Sequence, residues 1–315
     1  MPAVVDSHVH IWNADVADYP WLAETPQLRT IFELRDVRDE HIATGITQVI
    51  LVQAADNIDD TENMLRAARA DPRVAGVVAW VPLRKPSVAA ELLDRWSEEP
   101  IVGVRHLVHR DPDPELLRTA AVQDTLALLG AFGLCFDVCA ESLPLLALVP
   151  ELAQRHPATT FVIDHLAKPP IRERGWEPWA SMFTEAAQYP NVVAKLSGLN
   201  TVAGAVPRPA DYQPYVDHAL AVFGPDRLMY GGDWPFALLA ASSYREIFDG
   251  LLGTLDALSA EDLDNVLTGT ARRVYRLCSP APQVDGPPVE DLVALNEPHG
   301  VVVGDGRIAV CRDHS

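Results

Sequence analysis

Thr47-Gln48-Val49-Ile50-Leu51-Val52-Gln53 and Thr160-Phe161-Val162-Ile163 are the stretches on which the fold turns. Both are short, apolar and β-branched, and their hydrophobicity is continuous rather than alternating, as in parallel strands covered on both faces. Six further runs share this character: Ala3 to Asp6, Gly76 to Val81, Val102 to Leu107, Leu134 to Val138, Asn191 to Leu196 and Arg227 to Tyr230. Between the runs, apolar residues recur at three-and-four spacing over Glu62 to Ala70, Val88 to Trp96, Glu115 to Leu129, Leu143 to Arg155, Glu177 to Tyr189, Tyr212 to Phe223 and Ser243 to Leu258, which predicts helices there. Asp71-Pro72, His156-Pro157, Tyr189-Pro190 and Gly224-Pro225 each stop a helix just ahead of the next strand. Strand starts are mostly about 30 residues apart, the length of one βαβ unit. Eight such units in 315 residues predict an α/β fold, a closed (β/α)8 TIM barrel over residues 1–278. No Gly-x-Gly-x-x-Gly follows the first strand, so a dinucleotide-binding fold lacks its phosphate loop.

Composition narrows the partners. Forty-four acidic against twenty-five basic side chains give a net charge of −19, which repels nucleic acid and anionic lipid surfaces alike. No apolar stretch approaches the roughly 20 residues of a membrane helix, and Met1 to His8 has no signal-peptide pattern, so a cytoplasmic chain is expected. Cys135, Cys139, Cys278 and Cys311 are too scattered for a disulfide framework, and the Cys135-x-x-x-Cys139 pair reads as two buried thiols. Two segments depart from the barrel pattern. Ile11 to Gly45 is a long first crossover whose Tyr19-Pro20-Trp21-Leu22 is placed to roof a pocket. Residues 279–315 read as a proline-rich link and a hairpin, too short for a core of its own, that packs on the barrel or on a neighbouring subunit of a homo-oligomer.

Reactive groups in such barrels gather at the carboxyl ends of the strands. Asp6-Ser7-His8-Val9-His10 ends the first strand, and alternation aims His8 and His10 the same way, so they can share one cation. His165 follows the sixth strand, and Asp233 the eighth, after two glycines that permit close backbone approach. His8, His10, His165 and Asp233 could hold a divalent cation with an open position, or act without metal as acid, base and orienter. Trp12, Trp21 and Trp234 are placed near the mouth, where indoles stack on sugar rings and offer N–H groups to hydroxyls. Arg105, His109 and Lys168 follow strands four and six; Arg105 could instead neutralise a buried carboxylate such as Asp137, and Lys195 could be a salt-bridged interior residue. The acidic run Asp56 to Asp60, with Glu62, reads as a solvated loop and helix start.

Asp6-Ser7-His8-Val9-His10-Ile11-Trp12, Tyr19-Pro20-Trp21-Leu22, Gly103-Val104-Arg105-His106, Ile163-Asp164-His165-Leu166-Ala167-Lys168-Pro169, Lys195-Leu196-Ser197-Gly198-Leu199 and Met229-Tyr230-Gly231-Gly232-Asp233-Trp234-Pro235 together resemble the amidohydrolase-2 group of the amidohydrolase superfamily. The likeness is nearest to its sugar-lactonase branch, the L-fuconolactonases and L-rhamnono-lactonases. It implies that His8, His10, His165 and Asp233 stand at the family's functional positions, with one divalent metal, zinc above others, or metal-free catalysis. Two departures stand out: strand four ends in Val104-Arg105-His106 without a lysine to bridge two metals, and Leu134 to Cys139 supplies no histidine.

The resulting expectation is a hydrolase that opens a small sugar-acid lactone. Asp233 serves as general base, and His165 or His109 reprotonates the leaving alkoxide. Within the same fold the rivals are a pyrone-dicarboxylate or muconolactone-type lactonase, which would want several arginines at the mouth, and a metal-dependent decarboxylase. A non-catalytic carbohydrate-binding barrel would not need the four side chains to converge.

Overall fold

In the computed structural model, residues 3–204 and 208–277 are described, so the expected link and hairpin over 279–315 lie outside the described residues, as do Cys278 and Cys311. Eight parallel strands run in sequence order: β1 (Val4–Val9), β2 (Ile46–Val52), β3 (Val74–Ala79), β4 (Ile101–His106), β5 (Cys135–Val138), β6 (Phe161–Ile163), β7 (Val192–Leu196) and β8 (Leu228–Tyr230). Each predicted strand is found, displaced by no more than a few residues. Helices α1 (Arg38–Thr44), α2 (Ile58–Ala70), α3 (Pro86–Arg95), α4 (Ala120–Phe132), α5 (Leu143–Arg155), α6 (Trp179–Ala187), α7 (Pro209–Phe223) and α8 (Tyr244–Leu252) follow the strands in turn, giving the expected (β/α)8 TIM barrel.

Alternation along the strands divides the core in two. Val49, Leu51, Phe136, Phe161, Ile163 and Ala194 face outward and pack under the helices. Val5, Ile50, Val52, Val78, Cys135, Val162, Val193 and Met229 fill the lower barrel interior, closed from below by Ala271 and Tyr275. Each fully buried Val, Ile or Leu contributes about 1.5–3 kcal/mol, so the lower barrel is a packed plug rather than a channel. Ala271 belongs to a C-terminal run that the sequence reading did not foresee: α9 (Ala260–Asp264), a π turn over Asn265–Gly269 and α10 (Thr270–Val274). Helix α4 starts at Ala120 rather than Glu115, because extended Thr119 separates it from a short 3-10 turn over Leu116–Arg118. The first crossover is a string of 3-10 turns leading into α1, and Tyr19 and Trp21 are buried within it.

The β1/β8 seam is closed differently from the rest of the ring. Among the described residues a single bridge, from Val9 to Trp234 just past β8, closes the ring, with His10 N–H donating to Trp234 O at 2.7 Å and Asp233 N–H to His8 O at 2.8 Å. The Asp6 carboxylate reinforces it by accepting from Gly232 N–H at 2.8 Å and from the Tyr244 hydroxyl at 2.7 Å. Among the described residues no helix is long and apolar enough to cross a membrane.

Candidate active site

The register of β1 against β2 slips between Asp6 and Val9. Strict alternation from inward-facing Val5 would aim Ser7 and Val9 into the barrel; the slip instead gives that face to His8 and His10. Their Nε2 atoms lie 3.1 Å apart. Val52 O accepts from His10 Nδ1–H at 2.7 Å, so the neutral ring presents an Nε2 lone pair. His8 Nδ1 lies 3.3 Å from Asp164 Oδ1, and a hydrogen on that side leaves the His8 Nε2 lone pair facing the same space. Asp233 reaches in from the end of β8, its Oδ1 3.5 Å from His10 Nε2 and 3.9 Å from His8 Nε2.

His165 arrives by another route. His165, Leu166, Ala167 and Lys168 have φ of 55°, 51°, 59° and 46°, a left-handed turn built without glycine. This conformation costs a non-glycine residue roughly 1–2 kcal/mol. Full burial of Leu166 and a 2.8 Å hydrogen bond from Trp179 Nε1 to Leu166 O help to hold it. The turn carries His165 Nδ1 to 2.8 Å from Ser197 Oγ and brings its ring centroid to 4.5 Å from that of His8. Gly198 leaves the necessary space: a Cβ there would come within 2.6 Å of Asp233 Oδ2 and 2.8 Å of His165 Nδ1.

Beneath these groups lies a fully buried charge frame. Lys195 Nζ lies 2.5 Å from Asp137 Oδ2, 3.4 Å from Asp164 Oδ1 and 3.1 Å from His8 Nδ1. Arg105 donates from Nη1 to Asp164 Oδ2 at 3.0 Å and stands 3.2 Å from His8 Nε2, while its Nη2 donates to Gln53 O at 2.5 Å. The carboxylate paired directly with Arg105 is therefore Asp164 rather than Asp137, which takes Lys195 and the Tyr275 hydroxyl. Burial pushes Asp137 up to about 6 against the pull of Lys195. Lys195, His8 and Arg105 hold Asp164 well below the usual carboxylate range despite its own burial.

The imidazoles are set for neutrality. Burial lowers His8, His10 and His165, with Lys195 adding to the effect on His8. Asp233 is buried too, yet His165, His10 and His8 keep it below the ordinary carboxylate range, so it is ionised at neutral pH. Its Oδ2 is buried without a hydrogen-bond partner among the described residues. Ligand atoms of His8, His165 and Asp233 all lie within 4.8 Å of one another, and His10 Nε2 borders the same space. Convergent imidazole and carboxylate lone pairs around an unpaired oxygen are a donor set that fits one divalent cation.

The expected substrate-binding residues divide into two groups. Trp12 Nε1–H is spent on Leu28 O and Thr30 O, and Trp21 Nε1–H on Ala54 O at 2.8 Å, so the expectation that these groups reach substrate hydroxyls is not met. Their rings meet edge to face at 5.0 Å, and Trp234 packs on Phe32 at 5.5 Å, in one aromatic cluster with Phe32 also against Trp12. On the opposite rim Lys168 Nζ lies 2.6 Å from Glu141 Oε1, and His109 Nε2 lies 4.0 Å from Glu141 Oε2. Arg84 is bound by Asp111 and Asp113, and Arg110 by Glu24. The sequence reading missed Asp164 and Glu141, although a carboxylate at the end of a barrel strand is itself a signal. It also took Asp56 to Asp60 as solvated; Asp60 is fully buried, accepting from Tyr19 OH and from the N–H groups of Ala54 and Ala55.

Comparison with known proteins agrees with the fold. Residues 5–277 match the Amidohydro_2 family, described as amidohydrolase. An L-fucono-1,5-lactonase of Burkholderia multivorans is 34% identical over 290 residues, 88% of this chain and 97% of that protein. A Burkholderia ambifaria protein of the same name is 32% identical over 75% of this chain and 81% of its own length. Among solved structures, an amidohydrolase from Burkholderia multivorans with bound zinc superposes with a TM-score of 0.80 at 33% identity, covering 88% of this chain and all of that one.

Proposed function

The chain belongs to the amidohydrolase family, and from that premise we propose that it hydrolyses a neutral sugar-acid lactone of the L-fuconolactone kind. One observation carries the reading: at the barrel mouth, a carboxylate with one unpaired oxygen faces three imidazoles from chain segments up to 225 residues apart. A lactone carbonyl requires an attacking water, a base for its proton and positive charge on the developing oxyanion. Asp233 takes the proton from water. Arg105, buried and permanently charged, supplies a fixed positive field beside His8. Water adds to the carbonyl carbon, the ring C–O bond breaks, and the tethered alkoxide receives one proton, which Asp233 returns. The product is a hydroxy acid that ionises in water.

His8, His165 and Asp233, with His10 Nε2 at the border, would hold a zinc ion, which would polarise the carbonyl when bound. The chain's own residues orient the water, keep Asp233 ionised and roof the site. A polyanionic pyrone is less well served, because Arg84 and Arg110 are already committed to carboxylates. The test is acid release from a panel of aldonolactones, with and without a chelator and with zinc added back. Asp233→Asn should lower kcat by roughly 1,000-fold with the fold intact. Near-normal turnover in that variant would remove Asp233 from the mechanism, and the chelator arm decides whether a cation contributes.

A further inference from the structure

Glu141 lies just past β5, two residues beyond buried Cys139, at the edge of the mouth. Its carboxylate is a junction. Oε1 holds Lys168 Nζ at 2.6 Å, Oε2 stands 4.0 Å from His109 Nε2, and the Cys139 thiol donates to Oε1 at 3.5 Å. These three neighbours come from the loops after β4, β5 and β6, so one wall of the mouth is built around a single carboxylate.

The cluster has the residue types of a metal site, but its chemistry argues otherwise. The Lys168 ammonium already sits on Glu141, and burial pushes the Cys139 thiol well above its usual range, so no thiolate is on offer. What the wall does offer is mixed hydrogen bonding. Lys168 is a donor. His109, pushed down to about 4 by burial and by Arg105, Lys168 and Arg110, is a neutral ring whose buried Nδ1 has no partner among the described residues. Against the upward push of burial, Lys168 holds Glu141 below its usual range, and its Oε2 lies beyond hydrogen-bond distance of His109. The side chains of Glu141, His109 and Lys168 are 28%, 20% and 14% exposed, whereas that of Asp233 is 2% exposed. A bound molecule would therefore meet this wall first.

Resting on the functional reading above, we propose that Glu141 determines specificity: its free carboxylate oxygen accepts from ring hydroxyls of the substrate, and its charge turns away lactones that carry carboxylates. A hydroxyl both donates and accepts, and so matches a wall with Lys168 as donor and Glu141 as acceptor. A carboxylate cannot donate to Glu141, and a like charge placed there is repelled.

The experiment compares the wild type with Glu141→Gln on three probes: L-fuconolactone, δ-valerolactone, which lacks ring hydroxyls, and 2-pyrone-4,6-dicarboxylate. Glu141→Gln should raise KM for the hydroxylated lactone about 10- to 100-fold, the worth of a hydrogen bond to a charged group, with kcat changed only a few-fold. Its kcat/KM on δ-valerolactone should stay at the wild-type value, and that on the dicarboxylate should rise. Equal losses on the hydroxylated and unsubstituted lactones, or an unchanged KM for L-fuconolactone, would overturn the proposal. Absence of a gain on the dicarboxylate would overturn its electrostatic half. A wild type that opens no sugar-acid lactone defeats the functional reading instead, so the two failures are distinguishable. Matching circular dichroism spectra and thermal midpoints show that the variant is folded.

Discussion

Strands β1 and β6 both deliver histidine to one centre by opposite means. In β1 the backbone stays extended, and the register slip between Asp6 and Val9 turns His8 and His10 inward. In β6 the strand is only three residues long and breaks at once into four left-handed residues that swing His165 over. Their supports differ as well. His8 rests on the Lys195, Asp164 and Arg105 frame, whereas the turn gives His165 a lone hydroxyl, Ser197 Oγ. A site can thus be assembled from one arm held by buried charge and another held by backbone strain under tertiary packing.

The largest expected effect tests whether the two arms serve the same centre. His10→Ala and His165→Ala should each lower kcat/KM for the lactone by about 100- to 10,000-fold in steady-state assays. If either retains near wild-type turnover, the equivalence of the arms is broken. Next comes the difference in support. Lys195→Met strands buried Asp137 and should cost about 3–5 kcal/mol in urea unfolding. Ser197→Ala should cost only about 1 kcal/mol. Similar losses from the two would mean that the frame is not the stronger support. The smallest effect tests the strain itself. Ala167→Gly, at φ 59°, should be neutral or stabilising by up to about 1 kcal/mol, whereas Ala194→Gly within regular β7 should destabilise by about that amount. Losses of equal size at both positions would show that the turn is not strained.

The same contrast explains what was legible in the sequence. Continuous apolar runs gave away the eight strands, and prolines marked the helix ends, because both signals are local. His8, His10 and Asp233 were legible too, since the strand ends that carry them are local features. The slip in β1 was not: without it, alternation from Val5 would have placed the histidines outside the barrel. Nor was the left-handed turn, because Asp164-His165-Leu166-Ala167-Lys168 contains no glycine or asparagine to announce positive φ. The pairing of Arg105 with Asp164, and of Lys195 with Asp137, depends on which inward residues share a level in the closed barrel. Strand spacing alone does not fix that level. Trp12 and Trp21 were placed near the mouth by position, but backbone carbonyls of the first crossover and of the loop after β2 claimed their indole N–H groups.

The seam between the first and last strands carries a further consequence. A barrel is a hoop, and here the clasp of the hoop is fastened by the peptides of His8, His10, Asp233 and Trp234, three of which carry side chains of the candidate site. A ligand held by His8, His10 and Asp233 would bridge the join, so its binding should stabilise the closed ring. On the proposed reading, turnover and mechanical closure would draw on the same few residues, and a change that loosens one should loosen the other.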